Sequence, residues 1–188
     1  MSAWHSRVNT GSPNGRPRAG FFRAGPTPKR VKRRRELTAF ATVWPLTRRR
    51  APAYTPYYLT LLAEALALAG KIEEGLAALD DALAKVAVSG EKGWGAEIHR
   101  LRGELTARLA HPDRAKAEDS FRTALTIARE QGTRGYELRA ATSLARLWRE
   151  QGRRGEARDL LAPVYGWFTE GFDTADLKDA KALLDELT

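Results

Sequence analysis

Leu79-Ala82, Phe121-Ala124 and Leu161-Val164 hold equivalent places in three successive segments, offset by 42 and 40 residues. Each segment is an Ala/Leu-rich amphipathic stretch, a short polar turn and a second amphipathic stretch. A unit of about 41 residues cannot bury its apolar stripe alone, so it must stack on its neighbours. Stacked helical hairpins form a solenoid. The expected fold is all-α, with three helical hairpins over residues 54–171 and a capping helix over residues 172–188. Solenoids display surfaces more often than they perform chemistry.

Local signals place the helices. Thr55 reads as an N-cap with Pro56 at the first helical position. Leu59, Leu62, Leu66 and Ala69 then recur at helical spacing until Gly70-Lys71. The partner helix carries Ile72, Leu76, Leu79, Leu83 and Val86, and Ser89–Gly95 is a glycine-rich connection. Ile98, Leu101, Leu105 and Leu109 make the next stripe. His111-Pro112-Asp113 is a turn, because proline lacks an amide hydrogen and pushes its predecessor out of helical geometry. Ala117, Phe121, Ala124, Leu125 and Ala128 lead to Gly132; Leu138, Ala141, Leu144 and Trp148 lead to Gly152. Ala157, Leu160, Leu161, Val164 and Phe168 follow, with a kink expected at Pro163. Thr174 reads as the N-cap of a final helix with Leu177, Ala180, Leu183, Leu184 and Leu187 on one face. Its other face carries Lys178, Asp179, Lys181 and Asp185.

The formal charge of +9 suggests a nucleic-acid partner until it is divided along the chain. Residues 1–53 hold thirteen Lys/Arg and one acid, Glu36, whereas the remaining 135 residues hold 19 basic and 22 acidic side chains. The excess positive charge belongs to the Gly/Pro/Arg-rich start. That start buries too little apolar surface to offset the entropy of ordering it, so it reads as a disordered basic arm. Glu36–Leu46 is its one stretch expected to form a turn or two of helix against the body. The runs Lys29–Arg35 and Arg48–Arg50 would bind polyanions by counterion release, a salt-dependent and sequence-blind interaction that is the alternative function. Arg33-Arg34 before Leu37–Leu46 mimics a twin-arginine export signal. Glu36 and the three arginines of Arg48–Arg50 argue against it.

Cysteine is absent, which excludes disulfides, thiolate metal sites and a thiol nucleophile. No apolar run reaches the ~20 residues needed to span a bilayer, since Glu64 and Gly70 interrupt Leu59–Ala69. The expectation is a soluble, cytoplasmic protein with no membrane partner.

Small residues sit where paired helices would cross: Ala63, Gly103 and Ala145 on first helices, Gly75, Ala117 and Ala157 on second helices. Leu79, Phe121 and Leu161 are the large residues between them. This pattern resembles the tetratricopeptide repeat over residues 54–171, although the period exceeds that family's usual ~34 residues. A more distinctive block is Arg139-Ala-Ala-Thr-Ser-Leu-Ala-Arg-Leu-Trp148, then Gln151-Gly-Arg, then Ala162-Pro-Val-Tyr-Gly-Trp-Phe-Thr-Glu-Gly-Phe-Asp-Thr174. It is similar to the C-terminal end of large bacterial signalling proteins that carry a class III adenylate/guanylate cyclase domain, an ATPase domain and a repeat region. The resemblance implies a sensor or scaffold end without the catalytic domains, and an arginine-rich start unrelated to the family. Any link to a nucleotide cyclase is then one of descent, and the residues present would not catalyse that reaction.

Catalysis needs a nucleophile–base pair, a metal cluster or a phosphate cradle. His5, His99 and His111 are scattered without ligand spacing. Gly70-Lys71 lacks the upstream glycine of a P-loop, because Ala65 stands there. Asp80 and Asp81 are adjacent on a helix, so they diverge by about 100° and cannot share a proton. The chain is expected to be no enzyme and to hold no cofactor or metal.

The surface with most functional promise is the one lined by the first helices of the hairpins. Its outward positions are read as Tyr57, Thr60, Glu64, Glu97, Arg100, Glu104, Arg108, Arg139, Arg146 and Arg149. Tyr57, Arg100, Arg108, Arg139, Arg146 and Arg149 make the candidate peptide-binding set, because arginine forks recognise carboxylates in fixed geometry. The partner expected is a protein or peptide with an acidic segment. The alternative is a solvated face of ion pairs between helix turns. Trp148, Trp167 and Phe168 are expected to fill the seam between the last hairpin and its cap, and Trp94 to stand exposed as an anchor. Where an upstream neighbour is missing, Tyr57, Tyr58 and Leu61 are expected to be exposed at the start of the stack.

Overall fold

The computed structural model describes residues 55–89 and 93–188, and among these every regular element is an α-helix. The basic arm, its Glu36–Leu46 segment and its arginine runs lie outside the described residues. The helices are α1 Thr55–Leu68, α2 Ile72–Ser89, α3 Gly95–Thr106, α4 Arg114–Glu130, α5 Arg134–Glu150, α6 Arg154–Gly166 and α7 Ala175–Leu187. No described helix is long and apolar enough to cross a membrane.

Three turns share one construction. Gly70, Gly132 and Gly152 take φ of +84°, +65° and +82°, a left-handed geometry that glycine adopts without steric cost. In each, the amide after the glycine donates to the carbonyl five residues back: Lys71 to Leu66, Thr133 to Ala128 and Arg153 to Trp148, at 2.8–2.9 Å. The glycine's own amide takes a second orphan carbonyl, closing a Schellman motif. The chain is thereby folded back within three residues, which lays α2 along α1, α5 along α4 and α6 along α5. The helix α4 opens differently: Asp113 caps it, its carboxylate accepting the Lys116 amide at 3.0 Å. Thr174 precedes α7 in extended geometry but makes no side-chain cap bond. The helix α6 runs on through Pro163 to Gly166.

The six small crossing residues are all buried, and Ala63, Ala117, Ala145 and Ala157 are wholly enclosed. A Cβ added at Gly103 would stand 2.6–2.9 Å from the Phe121 ring. One at Gly75 would meet Leu105 at 2.9 Å and the Ala63 carbonyl at 3.2 Å. These are the places where α3 meets α4 and α1 meets α2. Leu79 and Leu161 are completely buried between them, each burial worth about 1.5–3 kcal/mol.

Packing is sequential with one regular addition. Each helix packs on the next, and α1 also touches α3, α3 touches α5, and α5 touches α7. The backbones of α2, α4 and α6 do not approach one another closely, although Arg153 at the start of α6 pairs with Glu118 of α4 at 2.9 Å. The apolar interior falls into two clusters, one among α1–α3 around Leu79, Ile98 and Leu105, the other among α4–α7 around Phe121, Leu144, Trp148 and Leu161.

Candidate interaction face

Helical spacing gives each odd-numbered helix one polar stripe, and the stripes lie side by side. Helix α1 presents Tyr57 and Glu64, α3 presents Glu97, Arg100 and Glu104, α5 presents Arg139, Ser143, Arg146 and Arg149, and α7 presents Asp176, Asp179 and Glu186. Side-chain pairs stitch neighbouring stripes together. Tyr57 packs against Trp94 with ring centroids 4.7 Å apart. The guanidinium of Arg108 donates to the Ala67 carbonyl at 2.9 Å. Arg139 reaches Glu97 at 2.9 Å, and the Ser143 hydroxyl donates to Glu104 at 3.0 Å. Arg139 also faces Asp176 at 3.9 Å, Arg146 faces Asp179 at 3.4 Å, and Arg149 pairs with Glu186. At every junction the pairs ascend together in residue number. The helices α1, α3, α5 and α7 therefore run in the same direction.

Arg100 is a correction to the sequence reading. It is 5% exposed, with Glu97 at 7% and Thr60 at 4%, so these three are enclosed between helices rather than turned outward. Its fork grips Glu97 through two bonds of 2.8 and 2.7 Å and takes Glu104 on its remaining side. Burial alone would lower its pKa, but Glu97, Glu104 and Glu64 outweigh that and raise it. The guanidinium is a fixed positive strut. Arg108 lies past the end of α3 and is exposed, while Tyr57, Arg139, Arg146 and Arg149 are half-buried. Five of the six candidate residues are thus engaged by groups of the chain itself through their arginine forks, and Tyr57 through its ring.

One end of this face is aromatic. Tyr57, Tyr58 and Trp94 stand close together, with Tyr57–Tyr58 centroids at 5.6 Å. The phenol of Tyr136 lies near Tyr57, Glu97 and Arg139; burial and the Glu97 charge raise its pKa. Trp94 is half-buried on the α1–α3 cluster rather than standing free, because the turn Gly93-Trp94 brings it directly onto Tyr57. Tyr57, Tyr58 and Leu61 are likewise half-buried rather than exposed.

Trp148 and Phe168 pack in the α4–α7 cluster, but Trp167 does not: it is 56% exposed, and Phe172, which meets the Tyr165 ring, is 46% exposed. Trp167 follows directly on α6, where Gly166 ends the apolar spacing, and the Arg134 guanidinium covers it at 4.9 Å. Trp148 is flanked by Arg153 and Arg122 at 4.6 and 5.3 Å, and both arginines also pair with Glu118. Those pairs hold the Glu118 pKa down against its burial. His99 is half-buried on α3, and burial, then Arg102, lowers its pKa; His111 is exposed in its turn. Among the described residues no three His, Asp or Glu side chains converge as a metal site would require.

No protein-family model matches the chain. It is 38% identical over 97 residues to the uncharacterized protein R02095 of Rhizobium meliloti (strain 1021). The match covers 52% of this chain and 9% of that protein, so the chain spans under a tenth of the relative's length.

Proposed function

We propose that this chain is a non-catalytic protein-interaction scaffold of tetratricopeptide type, acting as one module of a bacterial signalling protein. Its working surface is the face formed by α1, α3, α5 and α7. The observation that carries the reading is the recurrence of cross-helix pairs at close to one repeat: Ala67 with Arg108, Glu104 with Ser143, and Arg149 with Glu186 are 41, 39 and 37 residues apart. Equivalent positions of successive units that meet in this way generate a superhelix with an inner layer of first helices and an outer layer of second helices. The odd-numbered helices carry the polar and aromatic stripe, and the apolar clusters lie behind it, between them and the even-numbered helices, as a binding surface on a rigid support requires.

The half-buried, tilted rings of Tyr57 and Trp94, with the half-buried phenol of Tyr136, are the anchor this reading assigns, since such rings offer apolar area together with phenol and indole donors. The test is a displayed library of acidic, neutral and basic peptides panned against the full chain. Selective enrichment that Tyr57→Ala together with Tyr136→Ala abolishes, with helical circular dichroism retained, is the expected result. Equal recovery on the wild-type and doubly substituted chains would sink it.

A further inference from the structure

The arginines that suggested an acidic ligand already hold one. On α5, Arg139, Arg146 and Arg149 stand opposite Asp176, Asp179 and Glu186 of α7, and Arg154 donates to the Glu186 carbonyl. Between the acids, Leu177, Ala180, Leu183 and Leu187 are buried in the α4–α7 cluster. The α7 segment therefore presents what an acidic amphipathic helix laid against an arginine stripe presents: acids at relative positions 1, 4 and 11, apolar residues at 2, 5, 8 and 12.

Its hold is that of a terminal element. The helix α7 packs on α5 and α6 alone, whereas α5 is enclosed by α3, α4, α6 and α7. The three acids remain more than half exposed in their pairs, so water and salt screen them. The link from Gly166 to Thr174 is exposed at all but Phe168. Elements with few buried contacts open first.

We infer that the stripe Arg139–Arg146–Arg149 is a receptor for an acidic amphipathic helix of a partner protein, and that α7 is its resident occupant, displaced when the partner binds. The inference rests on the scaffold reading above and names its partner class. The probe is a fluorescent peptide of residues 173–188, added to the full chain and to an Asp176→Asn/Asp179→Asn/Glu186→Gln chain whose helicity is checked by circular dichroism. The substituted chain keeps its apolar contacts but competes less, so it binds the peptide about tenfold more tightly than the wild type. A peptide carrying the same three substitutions loses binding to both chains, and raising salt from about 0.05 to about 0.5 M weakens the native peptide. Binding to neither chain, equal affinity for both, or equal binding of the acid-free peptide overturns the inference. The Tyr57/Tyr136 panning result stands apart from this one, so failure here is distinguishable from failure of the scaffold reading.

Discussion

Gly103 and Phe121 show how far a single side chain sets the geometry of this molecule. Glycine inside a helix ordinarily costs about 1 kcal/mol relative to alanine. At Gly103 that cost is offset by contact, because the Phe121 ring occupies the space a Cβ would take. Gly103→Ala should therefore destabilise the fold by about 1–3 kcal/mol despite its better helix propensity, read as a lower urea midpoint. Phe121→Leu in the same chain should recover part of the loss, and additive effects would contradict the packing account. Charge acts as locally at Glu137. Burial would raise its pKa, but hydrogen bonds from Arg129 and Arg134 at 2.8 and 2.7 Å hold it below the usual carboxylate range. A depressed folded pKa contributes stability that is complete above the unfolded value of ~4.3 and disappears as pH falls through the folded one. Glu137→Gln should cost about 1–3 kcal/mol near neutrality and flatten the acid limb of stability against pH. An unchanged acid limb would remove Glu137 from that role.

At the scale of the element, the caps separate what a sequence announces from what it conceals. Asp113 and Thr174 read alike as N-caps, yet only Asp113 accepts a backbone amide. Asp113→Ala should lower the melting temperature and Thr174→Ala should leave it unchanged; equal effects would mean that the cap bond is not formed in solution. The Asp113 pKa is lowered chiefly by the Lys116 amide, so its contribution too fades as acid protonates it. The helices themselves were legible, because Gly70, Gly132 and Gly152 stand where the 3.6-residue spacing breaks and only a left-handed residue closes the turn. The small crossing positions were legible for the same reason: Ala63, Ala117 and Ala157 fall on the apolar stripe. Partnership between stripes was not. A helical wheel gives the face on which Arg139 or Asp179 lies, but not which helix stands opposite, and that depends on how far each unit rotates on the last. Asp179 read as the solvent face of a cap and is exposed, but the Arg146 guanidinium opposite it was not foreseen. Arg100 read as outward, although two carboxylates make its burial tolerable. Trp94 and Trp167 exchanged expected roles because both lie in turns, where periodicity carries no information.

The whole molecule divides at α3–α4 into two apolar clusters of unequal strength. The first has nine buried members, four of them alanine, whereas the second has eighteen and includes Phe121 and Trp148. Apolar area removed from water sets most of the stabilisation, so the α1–α3 part has less to lose before it opens. The two are joined where α3 crosses closely on α4, the Phe121 ring lying against Gly103, and where Arg139 and Ser143 of α5 pair with Glu97 and Glu104 of α3. Stacked units that touch only their neighbours unfold by segments when their interiors differ enough in strength. Hydrogen exchange followed by mass spectrometry distinguishes this from a single cooperative transition. Leu79→Ala empties a fully buried site in the first cluster and should cost about 2–5 kcal/mol there, speeding amide exchange across α1–α3. Amides of α5 and α6 should keep their wild-type rates, because their slowest openings do not pass through the first cluster. Leu161→Ala should do the reverse only in part, since losing the larger cluster also removes the surface on which α3 rests. Uniform acceleration of all seven helices by Leu79→Ala would mean that the joint transmits as strongly as the interiors, and the two clusters would then be one cooperative core.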